Sequence, residues 1–212
     1  AGTVAIYSLS AGLLATHLGL ASKNQLGFLI AGAHPLARKI ASIITDQGLQ
    51  VLMVDTNSVN IAEAYREGLP TYHGSIISES ILDEIDISNL GHLVALTPDD
   101  VVNSLAAIRF RDIFGRKEVY QIRLEVSGFR GKNAIAPVHF RGRFLFSPRI
   151  TYSYLDERLR SGASLVINEF TENFKYDPSI PFQDANSIPL MLITSNGGVK
   201  FFTEDYELIP CA

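Results

Sequence analysis

The sequence predicts an α/β protein built on a doubly wound, Rossmann-like parallel sheet of five strands in the order 3-2-1-4-5. Three observations predict this fold. Short apolar runs alternate with segments of helical period from residue 25 to about residue 125. A glycine follows the first apolar run, and an acid follows the second. The residues between those two runs have the period of one helix, which is the crossover that two parallel strands require.

The first βαβ unit lies in residues 25–57. The apolar run 28–31 meets Gly32, and the run 51–54 ends at Asp55, 23 positions after that glycine. Gly48 is a natural stop for the helix between them. Apolar residues recur along this helix at three- and four-residue spacing, at Ala37, Ile40, Ala41, Ile43 and Ile44.

The same alternation predicts the later elements. We predict helices over 58–66 and 78–87, and a third that begins at Thr97 as its capping residue and ends before Gly115. Strands are predicted over 71–73, 93–96 and 119–122. A smaller α+β unit should follow, with strands at 143–146, 165–170, 190–193 and 200–202, a helix over 151–160 and a hairpin turn at 196–198.

These patterns divide the chain into three parts. Residues 25–135 form the predicted Rossmann-like domain, and residues 136–212 form the small C-terminal module. Residues 1–24 are predicted to be mostly one apolar helix, because residues 1–22 hold no charged side chain. That helix is interpreted in three ways: buried in the protein, docked on a partner, or the end of a membrane span. We expect the chain to be a fragment of a longer protein.

Composition excludes several classes of site. A net charge of −4 argues against nucleic acid as a partner. The single cysteine, Cys211, excludes an internal disulfide and a cysteine-based zinc site. We predict no metal, since the five histidines lack metal-ligand spacing at positions 17, 34, 73, 92 and 139.

The glycine turn is a degenerate dinucleotide fingerprint. In place of G-x-G-x-x-G the chain has Gly32-Ala33-His34-Pro35-Leu36-Ala37. His34 replaces the glycine that lets the backbone approach a pyrophosphate, and Pro35 removes one N–H from the helix start. A phosphate would then be held by the remaining amides from Ala33 to Leu36 or by the His34 side chain. The alternative is a tight turn that binds no ligand.

Asp55 is the second candidate binding residue. An acid at the end of the second strand accepts hydrogen bonds from ribose hydroxyls, and its charge disfavours the 2′-phosphate of NADP. The alternative is an aspartate that only caps a turn or a helix. Asp99 and Asp100 are interpreted as acids at a helix start rather than as catalytic carboxylates. No catalytic set is apparent, and we predict that the protein is not an enzyme.

Residues 26–122 resemble the TrkA-N, or RCK (regulator of potassium conductance), nucleotide-binding domain. The matching residues, in order, are Gly32, Asp55-Thr56-Asn57, the YHGS stretch that contains Gly74 and Ser75, the ISESILDEIDI segment, the LVALT strand with Thr97, Asn103, Phe114-Gly115 and Arg123. The chain has Gly74-Ser75 where that family usually has Gly-Asp, so one expected acid is absent.

The resemblance implies a regulatory role. Domains of this family sit on the cytoplasmic side of potassium channels, potassium uptake systems and cation/proton antiporters, bind NAD(H) or an adenine nucleotide (AMP, ADP or ATP), and usually dimerise. The GAHPLA turn is similar to that in the C-terminal tail of NhaP-type sodium/proton antiporters. The expected partners are therefore the antiporter's membrane domain, a second copy of the chain and a weakly bound nucleotide. The expected place is the cytoplasmic face of the cell membrane, with the fragment itself soluble.

The same resemblance implies the site. The cofactor-binding residues would be Gly32, Ala33, His34, Pro35, Leu36, Asp55, Thr56, Asn57, Gly74, Ser75, Thr97, Asn103 and Arg123. Two other functions stay open: a stand-alone NAD-dependent oxidoreductase, and a ligand-free Rossmann-like domain that serves only in assembly.

Overall fold

A computed structural model describes residues 26–124, 141–167, 187–194 and 198–204. Five helices are described in these ranges, α1 (Pro35–Asp46), α2 (Ser58–Arg66), α3 (Ile81–Glu84), α4 (Asp100–Phe114) and α5 (Tyr152–Arg160). The strands are β1 (Gly27–Ala31), β2 (Val51–Asp55), β3 (Thr71–His73), β4 (Leu90–Ala95), β5 (Val119–Gln121), β6 (Arg143–Phe144), β7 (Met191–Ile193) and β8 (Val199–Phe201).

The central sheet is parallel and has the order β3-β2-β1-β4-β5-β6. This confirms the predicted Rossmann-like fold and the order 3-2-1-4-5, and it adds a sixth strand. β6 pairs with β5 through Tyr120 opposite Arg143 and Gln121 opposite Phe144. The sequence placed residues 143–146 in the small C-terminal module. The structure joins 143–144 to the main sheet because the unpaired edge of β5 accepts a further parallel strand. β7 and β8 form a separate antiparallel hairpin, as predicted.

The first βαβ unit forms because each apolar run has a buried place. Successive side chains of β1 point to opposite faces of the sheet, so Phe28 and Ile30 enter one core while Leu29 and Ala31 enter the other. A strand covered on both faces is apolar throughout its length. The inner face of α1 is also buried, at Leu36, Ala37, Ile40, Ala41 and Ile44.

Two predicted helix boundaries are wrong. The side chain of Asp99, not Thr97, caps α4, since it accepts hydrogen bonds from the amides of Val101 and Val102. The helix predicted over 78–87 is the single turn α3, and Ile85 is already extended. Serine and aspartate side chains explain this shortening, because they hydrogen-bond locally and favour turns over helix.

One predicted strand is also wrong in its described part. Residues 165–167 are irregular, and Val166 and Ile167 are 70% and 54% exposed. Since these two side chains are largely exposed and pair with no described strand, their apolar character does not produce a strand there. Residues 168–170, residues 196 and 197 of the predicted hairpin turn at 196–198, and the proposed domain boundary at 135–136 lie outside the described residues.

The described C-terminal residues share a core with the main sheet. Phe201 of β8 packs against Phe28 of β1 and Tyr120 of β5, with ring centroids 6.0 and 5.5 Å apart. Leu155 of α5 is buried in the same cluster. The hairpin and α5 therefore cover one face of the sheet beside α1. Among the described residues, no helix is long and apolar enough to span a membrane. Residues 1–25, with the predicted apolar helix, are not among them.

Candidate functional site

The carboxyl ends of the parallel strands bring most predicted site residues to one edge of the sheet. Gly32 follows β1, Asp55 ends β2, and Gly74 follows β3. Thr97 follows β4 by two residues, and Arg123 follows β5. In doubly wound sheets this edge is where ligands bind, beside the point at which the strand order reverses. Here that point lies between β1 and β4.

The glycine turn requires its glycine. Gly32 has φ +102°, a conformation that a residue with a Cβ adopts only under strain. Its amide donates to the carbonyl oxygen of Val54 on β2 at 2.7 Å. The next amide, that of Ala33, donates to Oδ2 of Asp55, also at 2.7 Å. The turn after β1 is therefore joined directly to the end of β2.

The Asp55 carboxylate accepts three hydrogen bonds from the chain itself. Its donors are the Ala33 amide, the Asn57 amide at 2.8 Å and the Asn60 side-chain nitrogen at 3.0 Å. Asn57 in turn caps α2 by accepting from the amides of Val59 and Asn60. Asp55 thus organises the loop after β2 as well as the glycine turn, and its side chain stays partly exposed at the cleft.

The third strand ends close to the same carboxylate. The Gly74 amide donates to the backbone oxygen of Asp55 at 3.0 Å. A Cβ on Gly74 would lie 2.4 Å from the ring of Tyr72, so only glycine fits without displacing that ring. Thr56 is exposed, and its carbonyl oxygen lies 3.0 Å from Nε2 of His73. Ser75 follows as part of a turn in which its carbonyl accepts the amide of Ser78.

The loop after β4 is held by a buried asparagine. Asn103 is fully buried, and its Oδ1 accepts from the amide and the hydroxyl of Thr97 at 3.0 and 2.7 Å. Its side-chain nitrogen donates to the Thr97 carbonyl at 2.8 Å. Asn103 therefore shapes the cleft through Thr97, and its side chain does not itself reach the cleft surface.

His34 is turned into the protein. The residue is 5% exposed, and its Nε2 lies 2.7 Å from the carbonyl oxygen of Leu96. Burial lowers the pKa of this imidazole, while Asp55 and Asp156 oppose the shift and Arg38 adds to it. A neutral ring that donates from Nε2 leaves Nδ1 as an acceptor, and Nδ1 has no hydrogen-bond partner among the described residues. Pro35 is exposed, and Leu36 is buried in the core behind the turn.

Tyr152, at the start of α5, covers His34. The two rings meet edge to face with centroids 4.9 Å apart and an interplanar angle of 86°. Burial raises the pKa of the Tyr152 phenol, and the charges of Asp156 and Asp55 raise it further, while Arg160 opposes them. The side chain at the glycine turn is thus packed under a residue that lies 118 positions later in the chain.

Arg123 connects the end of β5 to the C-terminal segment. Its carbonyl oxygen accepts the amide of Tyr152 at 2.9 Å. Its guanidinium pairs with Glu204 and lies 4.0 Å from the centre of the Phe144 ring. Burial raises the pKa of Asp100 at the start of α4, and the positive charge of Arg123 opposes this shift. The structure therefore places Arg123 among the residues that hold α5 and the hairpin, to one side of Asp55.

Two surface depressions formed by described residues lie away from Gly32 and Asp55. A depression of about 560 Å³ lies at Tyr65 and Leu69, and one of about 390 Å³ lies between Phe146 and Phe202. Neither is lined by Gly32 or Asp55. Within the described ranges, no three histidine, cysteine or acidic side chains are grouped to hold a metal ion.

The sequence of this same segment matches a known family model. Residues 28–125 match the TrkA-N domain. The match contains all the predicted site residues from Gly32 to Arg123, so the recognised domain and the sheet edge described above coincide.

Solved structures resemble the chain over about half its length. One is the NAD(P)-binding domain of an exopolyphosphatase-related protein from Archaeoglobus fulgidus, with 17% identity, 48% of this chain and 75% of that chain covered, and a TM-score of 0.42. Another is the TrkA-N domain of inner membrane protein ybaL from Escherichia coli, with 11% identity, coverage of 45% and 71%, and a TM-score of 0.39. A third is the GsuK channel bound to NAD, with 17% identity, coverage of 47% and 18%, and a TM-score of 0.41. No curated protein matches the chain.

Four residues of the site were missed by the sequence analysis. Asn60 donates to Asp55, and Arg38 donates to the Ala33 carbonyl at 2.9 Å and pairs with Glu67. Arg38 could have been found, because a cation one turn after a glycine loop suits a phosphate. Tyr152 and Asp156 could not, because only the packing of α5 against the parallel sheet and α1 brings them to His34.

We expect His34 to make the stability of the protein depend on pH. Burial lowers its pKa below the ordinary 6.5, so the unfolded chain binds more protons than the folded protein just below that value. Stability should therefore fall as the pH falls through 6.5, by at most about 1.4 kcal/mol per pH unit. Urea unfolding from about pH 7.5 to 5 should show this slope, and His34→Gln should flatten it.

His73→Gln is the matched control, since His73 is exposed whereas His34 is buried. Equal flattening in both variants would contradict the assignment of the slope to His34.

Proposed function

We propose that the chain is the cytoplasmic regulatory part of a monovalent cation/proton antiporter, which senses NAD(H) or an adenine nucleotide and catalyses no reaction. The observation that carries the proposal is the hydrogen bond from the Ala33 amide to the Asp55 carboxylate, which joins the glycine turn to the end of β2 in a segment that matches the TrkA-N domain. The carboxylate lies where a nucleoside's ribose hydroxyls would be held in a doubly wound sheet.

Charge and packing support weak binding. The Ala33 amide, which would face a phosphate, already donates to Asp55. Pro35 contributes no amide, and His34 is committed to Leu96 and Tyr152. Arg38 lies beside the turn, where its guanidinium is held by the Ala33 carbonyl and by Glu67. A ligand would therefore gain few charge-assisted hydrogen bonds, and we expect micromolar or weaker affinity.

One observation favours a second function, that of a ligand-free assembly domain. All three donors to Asp55 come from the chain itself, so the carboxylate needs no ligand to satisfy it. Exposed apolar residues on α4, Val101 and Leu105, lie one turn apart and suit a contact with a second copy of the chain. A homodimer is part of both proposals.

Calorimetric titration of the whole chain with AMP, ADP, ATP, NAD and NADH separates the two functions. Saturable binding of any of them supports the sensing role, and no heat of binding up to millimolar ligand supports the assembly role. The regulatory step is then tested in the complete transporter in membrane vesicles. Saturating nucleotide should change cation/proton exchange several-fold, which corresponds to a coupling free energy of about 1–3 kcal/mol. Unchanged exchange would contradict regulation.

A further inference from the structure

The open part of the cleft lies over the first three strands. The partly exposed carboxylate of Asp55 faces it, next to the exposed Thr56 and Asn57 and the partly exposed Gly74. These groups follow β2 and β3, the half of the sheet that would hold one nucleoside. A single ribose and its base could lie there without meeting α5.

Side chains cover the path that a dinucleotide would take from the glycine turn to the other half of the sheet. A dinucleotide extends from the β1–β2 side, across the glycine turn, to the ends of β4 and β5. In this chain the residue at that crossing is His34, with its ring bound to the Leu96 carbonyl and covered by the Tyr152 ring. The smaller glycine of the usual fingerprint would leave this space to the pyrophosphate.

Tyr152, which covers His34, is bound through its backbone to the residue that follows β5, on the far side of the cleft. The Tyr152 amide donates to the Arg123 carbonyl, and Thr151 pairs with Arg123 in a parallel β-bridge. Thr151 also caps α5, because its side chain accepts the amide of Tyr154. Behind Tyr152, Leu155 is 6% exposed in the core shared with the sheet. The backbone that carries Tyr152 is therefore held at the end of β5, in the position that places its ring over His34.

The charges near His34 also disfavour a pyrophosphate at the glycine turn. The carboxylates of Asp55 and Asp156 both act on the His34 ring, and the nearby cations are already paired, Arg38 with Glu67 and Arg160 with Asp156. A pyrophosphate placed there would bring two negative charges towards the Asp55 carboxylate and would find no unpaired cation among these residues. A single terminal phosphate could instead turn towards solvent.

We propose that the site accepts a nucleoside monophosphate and rejects a dinucleotide, with Tyr152 over His34 as the specificity-determining contact. This inference rests on the proposed nucleotide-sensing function and names its ligand class. It predicts which half of the dinucleotide site is usable, and it assigns the exclusion to a residue of the C-terminal segment.

The test is calorimetry on the whole chain with AMP and with NAD. The wild type should bind AMP at least tenfold more tightly than NAD. Tyr152→Ala should bring the two dissociation constants to within about threefold of each other by strengthening NAD binding. Tyr154→Ala is the matched control, since Tyr154 lies on the same helix and is 38% exposed, and it should leave the ratio unchanged. Tyr152→Leu, which keeps an apolar contact but removes the ring, serves if the alanine variant does not fold.

The outcomes distinguish this inference from the function on which it rests. If NAD binds the wild type as tightly as AMP, nucleotide sensing stands and the exclusion of dinucleotides is wrong. If the ratio favours AMP but neither Tyr152 variant changes it, the assignment to Tyr152 is wrong. If neither compound binds, the sensing function itself fails, and this inference fails with it.

Discussion

Phe201→Ala should lower the free energy of unfolding by about 3–5 kcal/mol, which is typical of a buried phenylalanine. The side chain is 2% exposed and packs against the rings of Phe28 and Tyr120 from the central sheet. Its removal leaves a cavity between the hairpin and the sheet that neighbouring rings fill only partly. Urea unfolding of the whole chain, followed by circular dichroism, measures the change.

Lys200→Ala on the same strand is the control. Lys200 is exposed while Val199 and Phe201 on either side are buried, so its removal should change stability by less than about 0.5 kcal/mol. If Phe201→Ala unfolds in two transitions, with the first involving only the C-terminal residues, the hairpin and the sheet are separate cooperative units. A single shifted transition would show that they share one core.

Asp55→Ala should both destabilise the domain and weaken nucleotide binding. The carboxylate accepts three hydrogen bonds, each of which is worth about 1.5–3 kcal/mol when the acceptor is charged and buried. Because Asp55 is partly exposed, we expect a total loss of about 2–3 kcal/mol. Binding of AMP should weaken by roughly tenfold or more, since the ribose loses its charged acceptor. Urea unfolding and calorimetry well below the melting temperature measure the two effects.

Asn60→Ala separates the structural role of Asp55 from its binding role. This variant removes one donor to the carboxylate but leaves the carboxylate itself. It should therefore cost about 1 kcal/mol of stability and leave AMP binding within a few-fold of the wild type. If Asn60→Ala weakens binding as much as Asp55→Ala does, the loop conformation and not the carboxylate determines affinity.

The start of α4 shows which features the sequence predicted correctly and which only the structure reveals. The sequence predicted this helix and its end before Gly115, and the structure confirms both, with Ala106, Ala107 and Phe110 on its buried side. Its start was predicted too early, because the capping role was assigned to Thr97 instead of Asp99. Thr97, Pro98 and Asp99 all fit a helix start by residue type, but the Thr97 hydroxyl and amide are taken by Asn103. The side chain of Asn103, one turn inside the helix, therefore determines that Asp99 and not Thr97 is the capping residue.

The sequence by itself determined the order of the first five strands, the glycine turn and the acid at the end of β2. These features are local, since hydrophobic period, glycine conformation and the 23-residue spacing from Gly32 to Asp55 all lie within short stretches of chain. Only the tertiary structure decided what surrounds that turn. Asp55 turns its carboxylate onto Ala33, β6 extends the sheet, and Tyr152 comes to lie on His34. These contacts depend on how α5 packs beside α1, and no local pattern in the sequence specifies a contact between residues 118 positions apart.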